Sequence, residues 1–393
     1  MPNAWLELDL EAARLNLLAI KSKLRPHVDV IAMVKANAYG HGAVPMAKAF
    51  LAAGAARLGV AFVGEAVELR NAGITEPIVL VGSFTRGEAD DLVRYDVTPA
   101  VADLDLARQL GAAAKRAGRK IAVHVDVDTG MGRLGVRFEK AAFFVENLRA
   151  VEGIWIEGIF THLSSADEDD QTYSRLQVRR FASVMERLRA EGITIPFAHV
   201  QNSAGVLNLP EVGFQGVRPG LSLYGLHPSA ETQRKALLRP VMSFHSRVVM
   251  LKRVPADSFV SYNRTFKTST ERNLATVSVG YGDGLPRALS NQGHVLIRGC
   301  AYPIAGRVTM DHIVVDLGND EVRPGDRVTL IGRDGGEEIT ADQLAAWSST
   351  ISYEIACGIT QRVARMYRGA AAHADEPEAP AEEPPRAVAG WRA

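Results

Sequence analysis

Lys35 is the first residue whose surroundings suggest chemistry. It follows the apolar run 28–34, which reads as a buried strand. A lysine at such a strand end is partly desolvated, and burial makes the neutral amine easier to reach. A neutral amine can serve as a base, or form a Schiff base with an aldehyde cofactor. Taken singly, an exposed strand-end lysine is the plainer reading. A second group stands at Arg218-Pro219-Gly220-Leu221-Ser222-Leu223-Tyr224-Gly225. Gly220 would let backbone come close to a phosphate, whose oxygens suit backbone N–H groups. Arg218 is a permanent cation that donates hydrogen bonds and accepts none. A third is the aromatic acid–base candidate Tyr281, in Val279-Gly280-Tyr281-Gly282-Asp283-Gly284. The Gly-Asp-Gly there would equally make a hairpin turn.

Elements able to position these groups can be read from periodicity. Strand-like runs at 28–34, 56–61, 77–81, 121–127, 155–161 and 197–200 alternate with helical spacing at 43–53, 63–72, 102–117, 138–148 and 173–191. Repeated β-then-α units imply a parallel sheet covered by helices. About eight such units over residues 10–235 fit a (β/α)8 TIM-like barrel better than an open sheet, and active sites lie at the C-terminal ends of barrel strands. That places Lys35 at the productive mouth. After residue 236 short Val-rich runs at 244–251, 275–279, 294–297, 313–316 and 327–331 are separated by Gly, Pro, Asn and Asp. They predict a smaller, mainly β domain to residue 368, with one late helix at 341–347. Residues 1–9 are expected to join it as a strand. The Ala/Glu/Pro-rich stretch 369–393 has a disordered composition.

Bulk properties exclude several classes. Of 393 residues, 45 are Lys or Arg and 45 Asp or Glu, so no charge excess calls for nucleic acid or an anionic membrane. Every apolar run is broken by charge or glycine before it could span a bilayer. Two cysteines form no disulfide framework or metal motif, which suits a reducing, cytoplasmic setting without a metal. Residues 1–9 lack the pattern of a signal peptide.

The run Val34-Lys35-Ala36-Asn37-Ala38-Tyr39-Gly40-His41-Gly42 resembles the cofactor-binding signature of the alanine racemases. Further matches follow in order: Asp128-Thr129-Gly130-Met131-Gly132-Arg133-Leu134-Gly135, Phe160-Thr161-His162-Leu163, Asn202-Ser203, the Arg218 and Tyr281 segments, Arg307-Val308-Thr309-Met310-Asp311, and Ile351-Ser352-Tyr353-Glu354-Ile355. Each is weak alone, but together they cover about 320 residues. The resemblance implies a pyridoxal 5'-phosphate enzyme that interconverts L- and D-alanine, for peptidoglycan or for alanine catabolism. Lys35 would carry the cofactor as a Schiff base and act as one base. Tyr281, reaching across a homodimer interface, would be the other. Tyr39, Asn202, Ser203, Gly220, Leu221 and Tyr353 would surround the phosphate, with Tyr353 also narrowing the entrance. Arg133 would meet the phenolic oxygen and the substrate. Arg218 would face the pyridine nitrogen, and His162 would link it to Tyr281. Met310 and Asp311 would approach the substrate carboxylate from the partner. A tyrosine ordinarily titrates near pH ~10, so as a base it needs positive neighbours.

Three positions depart from the family pattern. Asp126 stands where many members carry a carbamylated lysine, so its shorter carboxylate is expected either to orient Arg133 in that group's place, with a bridging water where its length falls short, or to be an ordinary strand-end aspartate. Ala364 replaces a common proline. Asn263 replaces a common glycine, and a left-handed turn tolerates it. The rival readings are a broad-specificity racemase with a roomier entrance, a related decarboxylase, and a non-catalytic carrier of the cofactor. The bulk of Tyr353 argues against the first. A decarboxylase would need a cysteine or similar acid in the role of Tyr281, and the presence of a second domain argues against a carrier.

Overall fold

The computed structural model describes residues 2–369. Eight parallel strands close into a barrel: Asp29–Met33, Arg57–Val60, Ile78–Leu80, Val97–Val101, Ile121–Asp128, Ile154–Phe160, Phe197–Asn202 and Gly216–Arg218. The last pairs with the first, with Gly216 opposite Asp29 and Val217 opposite Val30, which makes the closure. Buried Val and Ile fill these strands, as parallel sheets covered on both faces require. Helices return the chain between strands. Leu104–Arg116, for example, begins with Asp103 accepting N–H groups from Asp105 and Leu106, and buries Ala107, Leu110 and Ala114. The barrel expected from periodicity is therefore present. Two of its strands escaped the sequence reading. Val97–Val101 contains Pro99, and Gly216–Arg218 is only three residues long.

The second body of the fold is a mainly β layer. Its spine is the strand Met242–Val254, which pairs with Arg272–Val277 and with Arg327–Asp334. Trp5–Asp9 enters the same sheet, antiparallel to the spine with Leu6 opposite Phe244. It runs parallel to Ala364–Arg368 on its other side. Strands from before and after the barrel are thus stitched together. Asp9 then caps the helix Leu10–Lys21 by accepting the N–H of Ala12. Buried Asn16 on that helix bonds Leu223 and Arg239, fixing the segment that leaves the barrel. Asn263 sits at φ +59°, the left-handed conformation expected for it. Residues 370–393, most of the stretch whose composition reads as disordered, lie outside the described residues. Among the described residues no helix is long and apolar enough to cross a membrane.

Candidate active site

Lys35 begins a turn that L-residues adopt at a cost. Ala36, Asn37, Ala38 and Tyr39 all have φ near +52°, the left-handed helical region, which costs roughly 1–2 kcal/mol per residue. Such strain persists only where neighbours over-determine it. Here Glu65 accepts the N–H of Ala36 at 2.6 Å, and the Asn37 side chain accepts that of Ala43 at 2.8 Å. The His41 ring nitrogen Nδ1 lies 2.8 Å from the Tyr39 carbonyl. Arg365, from the second domain, donates to the Gly40 carbonyl. Gly40 has no alternative residue, because a Cβ there would fall 2.1 Å from the carbonyl oxygen of Ala356. The turn swings Tyr39 inward and leaves Lys35 half-buried at the barrel mouth. Burial holds the Lys35 amine below its ordinary pKa, and the Arg133 charge adds to the effect.

The mouth encloses a cavity of about 390 Å³. Its wall brings together Lys35, Tyr39, Arg133, His162, Asn202, Ser203, Arg218, Gly220, Leu221 and Tyr353. Sequence motifs spread over more than 300 residues therefore converge on one space. Arg218 is buried, at 3% exposure, and hydrogen-bonded through both terminal nitrogens. One terminal nitrogen donates to His199 Nδ1 at 2.6 Å and to the His199 carbonyl at 3.1 Å. The other faces the carbonyls of Thr161 and Val200 and, at 3.3 Å, His162 Nδ1. Its Nε–H has no protein acceptor among the described residues. Burial lowers the guanidinium to about 10, opposed by the charge of Asp126, so it remains a cation at neutral pH.

Opposite lies a small cradle. Ser203 Oγ accepts the N–H groups of Gly220 at 2.9 Å and Ser222 at 3.2 Å. A Cβ on Gly220 would sit 2.3 Å from the Tyr39 hydroxyl, so glycine is needed for that hydroxyl to reach the cradle. Burial raises the Tyr39 phenol well above its ordinary value and raises Tyr353 to about 12, so both stay protonated donors. The Asn202 side chain is committed elsewhere. It caps the helix Ser203–Asn208 by accepting the Gly205 N–H.

Arg133 lines the cavity with no hydrogen bond or ion pair among the described residues. It stands on the loop after the fifth strand, shaped by Asp128 accepting the N–H groups of Gly130 and Gly132. Asp126 makes no direct bond to it. The aspartate is buried in the wall, and no hydrogen bond or ion pair joins the two. The charges of the two still act on one another, so any orienting of Arg133 by Asp126 goes through a bridging water or through the field and not through a direct bond. Burial raises the Asp126 carboxyl to about 7 despite the charges of Arg218 and Arg133.

Three of the expected residues are absent from this cavity. Tyr281 is 43% exposed and Met310 52% exposed, on neighbouring loops of the β domain. The Tyr281 N–H donates to the Thr309 carbonyl, and the Gly282 N–H to that of Met310. A Cβ on Gly280 would be 2.2 Å from the Thr309 oxygen, so the two loops cross at a glycine. Asp311 is paired with Arg362, which also binds Asp283. The sequence reading missed Glu65, which props the turn, and His199, the closest partner of Arg218. A strand residue facing the barrel interior carries no local signal.

This is a barrel whose mouth brings a half-buried amine and a fixed cation into one cavity with a glycine cradle, the makeup of a barrel enzyme. Residues 8–228 match the alanine racemase N-terminal domain and residues 241–367 the alanine racemase C-terminal domain. The chain is 43% identical over 365 residues to the alanine racemase of Halothermothrix orenii, covering 93% of this chain and 96% of the relative. It is 41% identical to that of Methanococcus maripaludis, covering 92% and 98%. The solved alanine racemase of Streptomyces lavendulae superposes with a TM-score of 0.89 at 37% identity, over 94% and 98% of the two chains. That of Bacillus anthracis, with bound L-Ala-P, gives 0.89 at 38%, over 94% and 96%. The chain belongs to the alanine racemase family.

Proposed function

We propose that the protein interconverts L-alanine and D-alanine with pyridoxal 5'-phosphate, as a homodimer in which each cavity receives Tyr281 from the other chain. The observation that carries this is the half-buried Lys35, its amine kept accessible in the neutral form, in one cavity with Arg218 and the Ser203–Gly220 cradle. These residues fit the cofactor. Lys35 would hold its aldehyde, and Tyr39, Ser203, Gly220, Leu221 and Tyr353 its phosphate. Arg218 would offer its remaining Nε–H to the ring nitrogen. A guanidinium keeps its protons, so it donates to an unprotonated ring nitrogen and does not protonate it. When bound, pyridoxal phosphate supplies an electron-withdrawing ring that acidifies the α-proton of an attached amino acid.

Inversion needs a proton-handling group on each face of the α-carbon, since a single base tends to return the proton to its own side. Lys35 provides one. The exposed Tyr281 loop provides the other only to a neighbouring chain. His162 would tune that tyrosine. Its Nδ1 faces an Arg218 N–H, so it accepts there and carries its own proton on Nε2. Arg133 would meet the substrate from the same chain, and Met310 with Asp311 from the other. Residues 10–235 would form the cofactor-binding domain and 236–368 the β domain, completed by residues 1–9. The exposed, unpaired Cys300 and Cys357 suit a reducing, cytoplasmic setting.

Purified protein loaded with pyridoxal phosphate, incubated with L-alanine and with larger L-amino acids, should lose optical rotation far faster with alanine. Comparable loss with lysine, arginine or serine would overturn the alanine assignment. Tyr281→Phe should keep the cofactor and lose roughly 100-fold or more in turnover, the scale of a missing acid–base group. Full turnover in that variant would remove Tyr281 from the mechanism.

A further inference from the structure

A chain of polar side chains, buried at Arg218, His199 and His124 and partly exposed at its outer pair Glu157 and Arg57, runs through the barrel beneath the cavity. Arg218, at the end of the eighth strand, donates to His199 Nδ1 at 2.6 Å. His199 Nε2 lies 2.8 Å from His124 Nδ1 on the fifth strand. His124 Nε2 lies 3.1 Å from Glu157 Oε2 on the sixth. Arg57, which opens the second strand, binds Glu157 Oε1 at 3.0 Å. The relay runs from the C-terminal mouth towards the opposite end of the barrel. Local packing reserves space for it, since a Cβ on Gly158 would strike the His124 ring at 2.7 Å.

We propose that Glu157, His124 and Arg57 are positioning residues for Arg218, setting from the far side of the barrel which N–H that cation offers to the cavity. The argument is one of donors and acceptors. A guanidinium can only donate. His199 must therefore accept at Nδ1, and a neutral imidazole then has its proton on Nε2. That proton obliges His124 to accept at Nδ1 and to carry its own proton on Nε2, where Glu157 accepts it. Burial holds both imidazoles below their ordinary pKa, with Arg218 adding to the effect, so both are neutral. Glu157 remains ionised. Burial opposes its charge, but the hydrogen bond from His124 and the Arg57 cation outweigh that. Every link thus has one direction, from cation to carboxylate, and reversal would oblige Arg218 to accept. A His199 proton on Nδ1 would confront the guanidinium with a donor and turn it, redirecting the Nε–H left for a ligand.

The link to turnover rests on the racemase reading, but the relay itself does not. Nitrogen NMR of protein with 15N-labelled histidine should show His124 and His199 neutral with the proton on Nε2, with or without pyridoxal phosphate. An imidazolium, or a proton on Nδ1 in either ring, would overturn the proposal. Glu157→Leu should lower kcat for alanine at least tenfold with KM changed less than threefold. Glu157→Gln, which can still accept from His124, should recover most of that loss. Turnover by Glu157→Leu within twofold of the unsubstituted enzyme would overturn the proposal. Should Glu157→Leu not fold, Arg57→Gln at the outer end tests the same point. A threefold or larger loss in kcat at constant KM is expected, and full turnover would count against the relay. If the unsubstituted protein racemises nothing, the functional reading fails while the NMR result still judges the relay.

Discussion

Asp126 shows how one residue's environment becomes a measurable property of the protein. It is buried in the cavity wall with no hydrogen-bond partner among the described residues, and burial pushes its carboxyl up to about 7. The groups facing it are Arg218 and Arg133, which favour the charge, and Asp128, which opposes it. Burial is the largest influence, and it wins. In the unfolded chain an aspartate titrates near ~3.9. Between these values the folded state holds a proton that the unfolded state has released. Stability contributed at low pH is therefore lost as pH rises through this window, and the loss is complete above about 7. Asp126→Asn removes the titration. In chemical denaturation without cofactor, the variant should be more stable than the unsubstituted protein at pH 8, by on the order of 2–4 kcal/mol. The gap should shrink towards zero near pH 4. An unchanged midpoint at pH 8 would mean that Asp126 is ionised at no such cost.

The element that matters most for the site is the left-handed turn 36–39. It sets the Tyr39 hydroxyl against Gly220 and Lys35 into the cavity wall, so its strain is tied directly to the shape of the site. Gly40 ends the turn at φ +82°, against the backbone of the helix Ser352–Gly358, which also supplies Tyr353. Gly40→Ala must displace that helix or unwind the turn. It should cost about 2–4 kcal/mol of stability and weaken pyridoxal phosphate binding, read by thermal denaturation and by absorbance titration. Unchanged affinity would show that the turn does not shape the site. Such a turn was not legible in the sequence. The motif located Lys35 and Tyr39, but four consecutive left-handed L-residues defy local propensity and exist only because tertiary contacts hold them. Periodicity found the long, evenly patterned elements, and the helix Ala341–Trp347 falls where its spacing placed it. It failed at Val97–Val101, where Pro99 argues against a strand, and at Gly216–Arg218, too short to show a period. Most cavity residues were legible because their motifs are long. Glu65 and His199 were not, because their roles depend on what lies across the barrel.

At the scale of the whole molecule, the proposed two-base site would draw on two chains. The cavity has Lys35 on its wall, while Tyr281 and Met310 stand exposed on crossed loops of the other domain. A loop pair pinned by Gly280 and by the Arg362 links to Asp283 and Asp311 is rigid enough to present a side chain to a second molecule. In the proposed dimer, two-fold symmetry would make the exchange reciprocal, so that each dimer would have two sites and each site would draw on both chains. Subunit mixing tests this directly. Lys35→Ala and Tyr281→Phe are each expected to be nearly inactive. Unfolded together and refolded in equal amounts, they should give about half mixed dimers. In a mixed dimer one site carries both defects. The other pairs the intact Lys35 of one chain with the intact Tyr281 of its neighbour. About a quarter of normal activity per chain should return. If Tyr281 instead served the cavity of its own chain, every site in the mixture would lack one base. Activity would then stay at the level of the parents, and the shared-site arrangement would be wrong even though the barrel, the cradle and Lys35 remained in place.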